Sequence, residues 1–303
     1  MASCGEPSAR RAPTGDAPPL TAVTDGRGEV VTFSHPAERI VSLAPSCTET
    51  VAAVGGLDRL VAVTEHCDDP PEVLALRTSG AIEVVGGFDA PSVERLLQLR
   101  PDAVFASDIT SAGTVARLRS VGLAVVVLNA SGMDGVARDL LIAGEVMGTA
   151  DAARQRVAAF NARRAAVRAA VADRPAPKVL LTFGERETFS AGSGTYLHQL
   201  IEEAGGRNLA AAAASPWPQL SLEFVAAQQP EFLLVTTDQP PGGQAVAAAP
   251  TTVLARYRAA PVWQTLPAVQ TGNVYLLEAD LFTTPGPRQV VALEALAQVL
   301  HAP

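Results

Sequence analysis

The sequence predicts an α/β fold in which two Rossmann-like lobes, joined by a long backbone helix, face each other across a ligand cleft. Short apolar runs alternate with helix-like stretches in both halves of the 303-residue chain, as is typical of parallel sheets with helical crossovers. Each half also opens with an apolar run that ends in small and polar residues, Arg39–Glu49 and Lys178–Glu185. Ligands of open α/β sheets bind at the carboxyl ends of such strands.

The composition excludes a nucleic-acid partner. At 48% hydrophobic residues the chain has enough apolar side chains for two cores. Its net charge is −8, whereas proteins that bind nucleic acid carry clusters of Lys and Arg on one face. No apolar run in the sequence approaches the roughly 20 residues that span a bilayer.

Residues 1–35 are predicted to form a tether and an edge hairpin. Cys4 precedes a stretch rich in Pro, Ala and Gly, which resembles the processed end of a bacterial lipoprotein. Either Cys4 is the lipidated first residue of an exported protein, or it is a chance cysteine in a flexible tail. Val23–Phe33 mixes apolar and polar residues around a Gly-Arg-Gly turn, which predicts the hairpin.

Residues 36–134 are predicted to form the N-terminal lobe. Its short apolar runs indicate strands, and the polar stretches with helical spacing between them indicate helices. The predicted strands are Ile40–Ala44, Leu60–Thr64, Ala103–Ala106 and Ala124–Leu128. The predicted helices are Thr48–Val54, Val93–Gln98 and Ala112–Ser120.

Residues 135–174 are predicted to form the connecting backbone helix. The stretch is rich in Ala, Arg, Leu and Val, and only Gly144 and Gly148 interrupt it. At about 1.5 Å per residue it is long enough to run along two lobes, even if it breaks near Gly148. The alternative is a surface helix of the first lobe.

Residues 175–303 are predicted to form the C-terminal lobe, on the same alternation of strands and helices. The predicted strands are Val179–Phe183, Phe232–Val235 and Val274–Leu277. The predicted helices are Tyr196–Ala204, Leu222–Gln228, Thr252–Arg258 and Gln289–Leu300. Residues 239–250 are rich in Pro, Gly and Ala and are predicted to be a surface loop.

Cys47 and Cys67 each follow one of the first two predicted strands. A right-handed crossover places those strands side by side in a parallel sheet, so we expect the two thiols at the same sheet edge. A disulfide suits an exported protein, but its geometric window is narrow. Both a disulfide and two free buried thiols therefore stay open.

Several segments in both lobes carry a family resemblance over about residues 36–301. They are Arg39–Ser46 with Thr48 and Glu49, Asp68–Glu72, Val93–Glu94 through Leu99–Asp102, Gly205–Asn208, Pro216–Gln219, Glu223, and Pro287–Arg288. Together they resemble the helical-backbone (class III) solute-binding proteins of ABC importers, and Pro216–Gln219 with Ser221 and Glu223 looks most like the cobalamin-binding branch. The resemblance implies an exported, monomeric receptor, periplasmic or cell-surface and held at the membrane only by a lipid anchor.

The resemblance also implies the ligand and the residues that line its cleft. The ligand would be cobalamin or a related corrinoid, carried as cargo without any cofactor or resident metal. A corrin is a flat, mostly apolar disc fringed with amides, so its receptor needs aromatic walls and a few polar contacts. The expected ligand contacts are Pro45, Ser46, His66, Phe88, Phe189, Tyr196, Trp217, Asp280, Phe282 and Arg288. Trp217 lies between two prolines, which fix the backbone around its ring.

Two of the expected ligand contacts have alternative interpretations. His66 stands where the family commonly has tyrosine, and it is either an axial ligand to cobalt or a hydrogen-bonding residue of the cleft wall. Arg288 either donates to corrin amides or phosphate, or it forms a local surface pair with Asp280. The aromatic residues likewise either contact ligand or pack inside their loops.

Glu94 and Glu223 are the expected transporter contacts. Each begins a predicted helix at the equivalent point of its lobe. In the family that the chain resembles, two exposed glutamates contact arginines of the permease dimer, and such charge pairs set orientation and capture rate. An acidic residue in the first turn of a helix is also a common capping choice.

Two other functions compete with a corrinoid receptor. A haem or ferric-siderophore receptor has the same fold, but siderophore sites gather several arginines and the loops here supply few beyond Arg186 and Arg288. An enzyme or metal-handling protein is disfavoured because the sequence has no glycine-rich phosphate loop, no Cys-x-x-Cys, no His-Glu-x-x-His and no nucleophile elbow. Adjacent residues in His66–Asp69 point to opposite sides of an extended segment, so they do not predict a metal cluster.

Overall fold

The computed structural model describes residues 21–238 and 240–302. They form a two-stranded antiparallel ribbon and two five-stranded sheets flanked by helices. The predicted α/β fold with parallel sheets is confirmed. Cys4, the predicted lipidation site, lies outside the described residues.

The ribbon consists of β1 (Thr21–Thr24) and β2 (Val30–Phe33), which pair antiparallel as predicted. Its turn is fastened to the first lobe by the buried carboxylate of Asp25. This carboxylate accepts hydrogen bonds from the Arg119 guanidinium at 2.7 Å and from the amide of Val127 at 3.2 Å. Buried charges persist where they are paired and hydrogen-bonded in this way, so the ribbon is an integral edge of the lobe.

The first sheet has the strand order β5-β4-β3-β6-β7, and all its strands are parallel. Its strands are β3 (Ile40–Ser42), β4 (Leu60–Val63), β5 (Glu83–Val84), β6 (Ala103–Ser107) and β7 (Val125–Leu128). Its helices are α1 (Pro45–Ala53), α2 (Pro71–Thr78), α3 (Val93–Leu99) and α4 (Ala112–Ser120). The sequence analysis missed α2 and β5, because both are short, with eight and two residues, and only Val73 among them is buried.

Two helices occupy the span predicted as one connector. They are α5 (Met133–Met147) and α6 (Ala150–Val171). Gly148 separates them with φ = 68°, a left-handed conformation that glycine adopts without steric cost. The break turns the chain back on itself, so that α5 packs against α1 and against α6.

The second sheet has the strand order β11-β12-β10-β8-β9. Its strands are β8 (Lys178–Thr182), β9 (Arg207–Asn208), β10 (Phe232–Thr237), β11 (Val246–Ala248) and β12 (Val274–Glu278). Its helices are α7 (Tyr196–Glu203), α8 (Leu222–Gln228), α9 (Thr251–Arg258), α10 (Pro267–Thr271), α11 (Ala279–Thr283) and α12 (Gln289–Leu300). The prediction of a loop over 239–250 was wrong in part, because β11 pairs antiparallel with β12.

The largest apolar core is continuous between the lobes. It contains Leu140 of α5, Phe160 of α6, Leu181 of β8 and Leu293 of α12, all buried. The long helix α6 packs along both α5 and α12. Burial of this shared apolar surface fixes the two sheets relative to each other, and it leaves their strand ends to form the cleft.

Candidate functional site: an interlobe cleft

A cavity of about 390 Å³ lies between the lobes at the carboxyl ends of the strands. Its first-lobe wall comes from the residues that follow β6 and β7 and from the start of α1. Its second-lobe wall comes from the start of α7, the loop around Trp217 and the end of α11. The lining residues are Ser46, Ser107, Asp108, Ile109, Ala130, Ser131, Gly194, Thr195, Tyr196, Trp217, Thr283 and Pro285.

The second-lobe wall is aromatic. The Trp217 ring packs on Phe183 with centroids 5.9 Å apart and meets the edge of Tyr196 at 6.2 Å. The Trp217 side chain nevertheless remains 47% exposed. Aromatic rings in such tilted arrangements stabilise one another and present a flat apolar face. Trp217 and Tyr196, both predicted from sequence, are therefore brought together at the cleft.

Tyr196 also presents a fixed hydroxyl group. Its O–H donates to the carbonyl of Thr283 at 2.9 Å, which orients the ring. Burial, and secondly the carboxylate of Asp108 on the opposite wall, raises the pKa of Tyr196. The phenol therefore stays protonated and neutral at physiological pH.

The first-lobe wall is polar, and the sequence analysis predicted Ser46 but missed Ser107 and Asp108. The hydroxyl of Ser107 is buried and has no hydrogen-bond partner among the described residues, so it is free to bond to a ligand. Asp108 is exposed and is the single charged residue among those that line the cavity. Arg27 supports this loop by donating to the carbonyl of Asp108 at 3.2 Å. Their position in the sequence could have identified both residues, since Ser107 ends β6 and Asp108 follows it, at the carboxyl end of a strand where ligands bind.

The other ligand contacts predicted in the first lobe are scattered. Ser46 lines the cavity, and its neighbour Pro45 is half-buried at the start of α1. Phe88 is half-buried outside the enclosed part of the cleft. His66 is exposed, with Nε2 3.5 Å from Oε1 of Glu65. Both interpretations of His66, a hydrogen-bonding residue of the cleft wall and an axial ligand to cobalt, stay predictions.

The two predicted phenylalanines of the second lobe differ in exposure. Phe189 is 47% exposed but is not among the residues that line the cavity. Phe282 is only 1% exposed and packs in the shared core. Phe282 thus fits the packing alternative that the sequence left open, because α11 turns that side of the helix toward the core, and its contact with a ligand stays a prediction.

Asp280 and Arg288 form a pair, as one of the two interpretations expected, but the pair does not line the cavity. The Arg288 guanidinium donates to Asp280 at 2.5 Å and to Glu49 of the first lobe at 2.7 Å. Its Nη1 also lies 3.1 Å from the Asp69 carboxylate. Three carboxylates therefore surround the arginine, while its Nε is buried and has no hydrogen-bond partner among the described residues.

Glu49 lies in an unusual electrostatic environment within this cluster. Burial raises its pKa to about 7, although the hydrogen bond and charge of Arg288 oppose the shift. Its Oε2 atom is buried and has no hydrogen-bond partner among the described residues. A protonated carboxyl group is therefore substantially populated at neutral pH.

Cys47 and Cys67 are free thiols in the structure, and both are buried. Of the two alternatives that the sequence left open, the structure has the unbonded one. Burial raises the pKa of both thiols above the ordinary range. Cys67 lies 3.1 Å from the Thr64 hydroxyl, and such buried, protonated thiols are chemically inert.

Glu94 and Glu223 lie exposed at the second position of matching helices, α3 and α8. A serine caps each helix: Ser92 accepts from the amide of Arg95 at 3.3 Å, and Ser221 from that of Phe224 at 3.1 Å. The capping role is thus filled by the serines in both lobes. Both glutamates remain exposed, although Glu94 accepts from the Gln98 amide at 3.5 Å, and hydrogen bonds from its own backbone amide and from the Ser221 hydroxyl lower the pKa of Glu223.

The strands next to these helices are anchored alike. The carboxylate of Asp102, just before β6, accepts from the amide of Arg39 at 2.8 Å. The carboxylate of Glu231, just before β10, accepts from the amide of Lys178 at the same distance. The two lobes therefore repeat one local design, and the two exposed glutamates occupy equivalent places in it.

No group of three or more His, Cys, Asp or Glu side chains within residues 21–238 and 240–302 is arranged to hold a metal ion. Over the same residues, no helix has the length and apolar character needed to cross a membrane.

Comparison with known proteins agrees with this geometry. The family model described as periplasmic binding protein matches residues 40–281. The cobalamin-binding protein of Halobacterium salinarum is 30% identical over 284 residues, which cover 91% of this chain and 73% of that protein.

Solved structures give the same result. The periplasmic vitamin B12-binding protein of Vibrio cholerae has a TM-score of 0.72 and 27% identity, over 88% of this chain and 97% of that one. The periplasmic haem-binding protein of Roseiflexus sp. RS-1 has a TM-score of 0.71 and 26% identity, over 87% of this chain and 98% of that one. From its match over most of the sequence, this chain belongs to the periplasmic binding protein family.

Proposed function

We propose that this protein is an extracytoplasmic receptor that captures cobalamin or a related corrinoid and delivers it to an ABC importer. The observation that carries the proposal is the asymmetry of the cleft. One wall presents the rings of Trp217 and Tyr196, and the other presents the Ser107 hydroxyl and the Asp108 carboxylate. A corrin offers the matching surfaces, a flat apolar ring and a fringe of amides.

The charge of the cleft supports a corrinoid over haem or a ferric siderophore. Haem carries two propionates, and catecholate and hydroxamate siderophore complexes are polar chelates that are often anionic. Among the described residues that line the cavity there is no Lys or Arg, and the one charged residue is Asp108. A carboxylate repels an anionic ligand, while it accepts hydrogen bonds from amide N–H groups.

Haem remains the second candidate, because haem-binding proteins are similar to this chain in structure. The periplasmic haem-binding protein from Roseiflexus sp. RS-1 aligns with nearly the same TM-score as the vitamin B12-binding protein. The fold therefore does not discriminate between the ligands, and the side chains of the cleft must.

Delivery is proposed to proceed through Glu94 and Glu223. The two carboxylates are exposed at equivalent places in lobes of the same local design. The two subunits of a symmetric permease dimer present the same surface to the receptor. A receptor with one exposed glutamate at the equivalent place of each lobe can contact both subunits in the same way. The proposed receptor acts as a monomer, and lipidation at Cys4 stays part of this proposal.

Isothermal titration calorimetry tests the ligand. The purified protein is titrated in one buffer with cyanocobalamin, dicyanocobinamide, haemin and a ferric hydroxamate siderophore. We expect saturable one-to-one binding of the corrinoids and much weaker binding of the two iron chelates. Tight haemin or siderophore binding without a corrinoid signal would keep the family and replace the ligand.

A further inference from the structure

The guanidinium of Arg288 contacts carboxylates of both lobes. It lies in the second lobe, at the start of α12, together with Asp280 of α11. Its other two partners, Glu49 of α1 and Asp69 before α2, belong to the first lobe. One guanidinium therefore ties the lobes to each other through two carboxylates, at 2.7 and 3.1 Å.

The cross-lobe contact is shielded from water. The Glu49 side chain is 4% exposed, and that of Arg288 is 29% exposed. The segment before Arg288 lies over the carboxylate so closely that a Cβ atom on Gly286 would stand 2.8 Å from Glu49 Oε2. A hydrogen bond from a charged donor is stronger where water is excluded, whether or not its acceptor carboxyl holds a proton, so this contact acts more strongly than exposed surface pairs, which contribute little.

The geometry also gives Arg288 a partner that moves with it. Asp280 belongs to the same lobe and accepts from the same nitrogen, Nη2, that donates to Glu49. When the lobes separate, Arg288 keeps Asp280 while Glu49 and Asp69 become hydrated. The guanidinium therefore has a carboxylate partner both when the lobes are together and when they are apart. A contact with two such arrangements is compatible with a hinge that moves between two states.

We propose that Arg288, Glu49 and Asp69 form an interlobe clasp that sets the width of the cleft and must open when the lobes part to release the ligand. These are positioning residues, since Arg288, Glu49 and Asp69 do not line the ligand cavity. The release step rests on the proposed function, whereas the effect on lobe separation does not.

The test compares two variants with matched chemistry. Glu49→Gln with Arg288→Gln removes the guanidinium and its most buried partner, and the carboxylates that lose Arg288, Asp69 and Asp280, are partly exposed, at 31% and 47%. The control, Glu185→Gln with Arg256→Gln, removes a two-hydrogen-bond pair that lies wholly in the second lobe, at 2.8 and 2.5 Å. Melting temperatures and circular dichroism establish that both variants fold.

Lobe separation is measured in the ligand-free protein by pulsed electron resonance between two spin labels. The labels are attached at the exposed positions Ala116 of α4 and Gln264 of the second lobe, as Ala116→Cys and Gln264→Cys in a Cys4→Ser background. Cys47 and Cys67 are fully buried and escape labelling. We expect the clasp variant to shift to longer and broader distances, while the control matches the wild type.

The second readout is the dissociation rate of cyanocobalamin, measured by stopped-flow absorbance. Loss of the clasp is expected to raise this rate about tenfold and to change the association rate little, as for other partly buried charge pairs. Unchanged label distances in the clasp variant would overturn the proposal. If no variant binds cyanocobalamin, the proposed function fails, and the distances in the ligand-free protein still decide the clasp.

Discussion

The rings of Tyr196 and Trp217 meet edge to face at the cleft, with centroids 6.2 Å apart and planes inclined by 61°. Tyr196 begins α7, whereas Trp217 lies in the loop between β9 and α8. The hydrogen bond from Tyr196 to Thr283 fixes one ring, and contact with Phe183 supports the other. The wall is therefore pre-organised, which lowers the entropic cost of ordering these side chains when a ligand binds.

The first prediction concerns Trp217. Trp217→Ala is expected to raise the dissociation constant for cyanocobalamin by about ten- to a hundredfold, as for aromatic anchors of binding sites. Phe189→Ala is the matched control, because Phe189 is equally exposed, at 47%, but lies outside the cavity lining. Calorimetry with both variants checks the prediction. Equal losses for the two would contradict the placement of the aromatic wall.

The second prediction concerns Asp108. Asp108→Asn keeps the shape and the hydrogen-bond acceptor but removes the charge, so haemin is expected to gain affinity relative to cyanocobalamin by about fivefold to tenfold. Asp151→Asn is the control, since that carboxylate is 90% exposed on α6. Competition titrations give the ratio of affinities. An equal change of the haemin-to-cyanocobalamin affinity ratio in both variants would mean that the net charge of the protein, and not the carboxylate in the cleft, determines the preference.

The third prediction concerns Glu94 and Glu223. Glu94→Gln and Glu223→Gln are each expected to weaken binding to the cognate permease in nanodiscs several-fold, with a larger effect at low salt, because exposed charges act at long range. Corrinoid affinity is expected to stay unchanged. Glu145→Gln, an exposed carboxylate of α5, serves as the control. A loss confined to one glutamate would mean that the lobes do not dock equivalently.

Sequence patterns predicted those parts of the fold that local chemistry determines. The helices α4, α8 and α12 begin and end at the predicted residues. At the first two, a serine cap accepts an amide hydrogen bond, and that signal lies within four residues. By contrast, β11 depends on pairing with a distant strand, β12. Val246–Ala248 alone carry no sign of that partner, so the segment resembled a loop.

The candidate site follows the same division. Trp217 was recognised from its flanking prolines, and Ser46 from the turn after a strand. Arg288 was expected either to contact the ligand or to pair with Asp280, whereas its partner Glu49 lies 239 residues earlier in the chain. A contact between lobes has no local signature. For Phe282 the sequence left ligand contact and packing open, because only the packing of α11 reveals which of its faces is buried.

The last prediction concerns two buried carboxyl groups, Glu49 in the clasp and Asp139 on α5. Burial raises the pKa of each to about 7. Asp139 accepts one hydrogen bond, from the amide of Asn129 at 3.3 Å, which only partly offsets the desolvation. Both groups therefore hold a proton in the folded protein over a pH range in which the unfolded chain has lost it.

The sign of the pH dependence follows from this difference in bound protons. The stabilisation is fully present below the unfolded values of 4.5 for Glu49 and 3.8 for Asp139, and it is lost as the pH rises to about 7. At about 1.4 kcal/mol per pKa unit, the rise in pH across that window lowers the free energy of unfolding by about 3 kcal/mol through Glu49 and by about 4 kcal/mol through Asp139. Urea titrations between pH 5 and 8 measure this slope.

We expect Glu49→Gln and Asp139→Asn each to flatten part of the slope, because neither amide ionises. Glu187→Gln, which alters an exposed carboxylate of the second lobe, is expected to leave the slope as it is in the wild type. Stability that stayed level between pH 5 and 7 would mean that both carboxylates are already ionised in the folded state, because the unfolded chain has also lost these protons above pH 5. Arg288 would then hold Glu49 as a full salt bridge over that whole range.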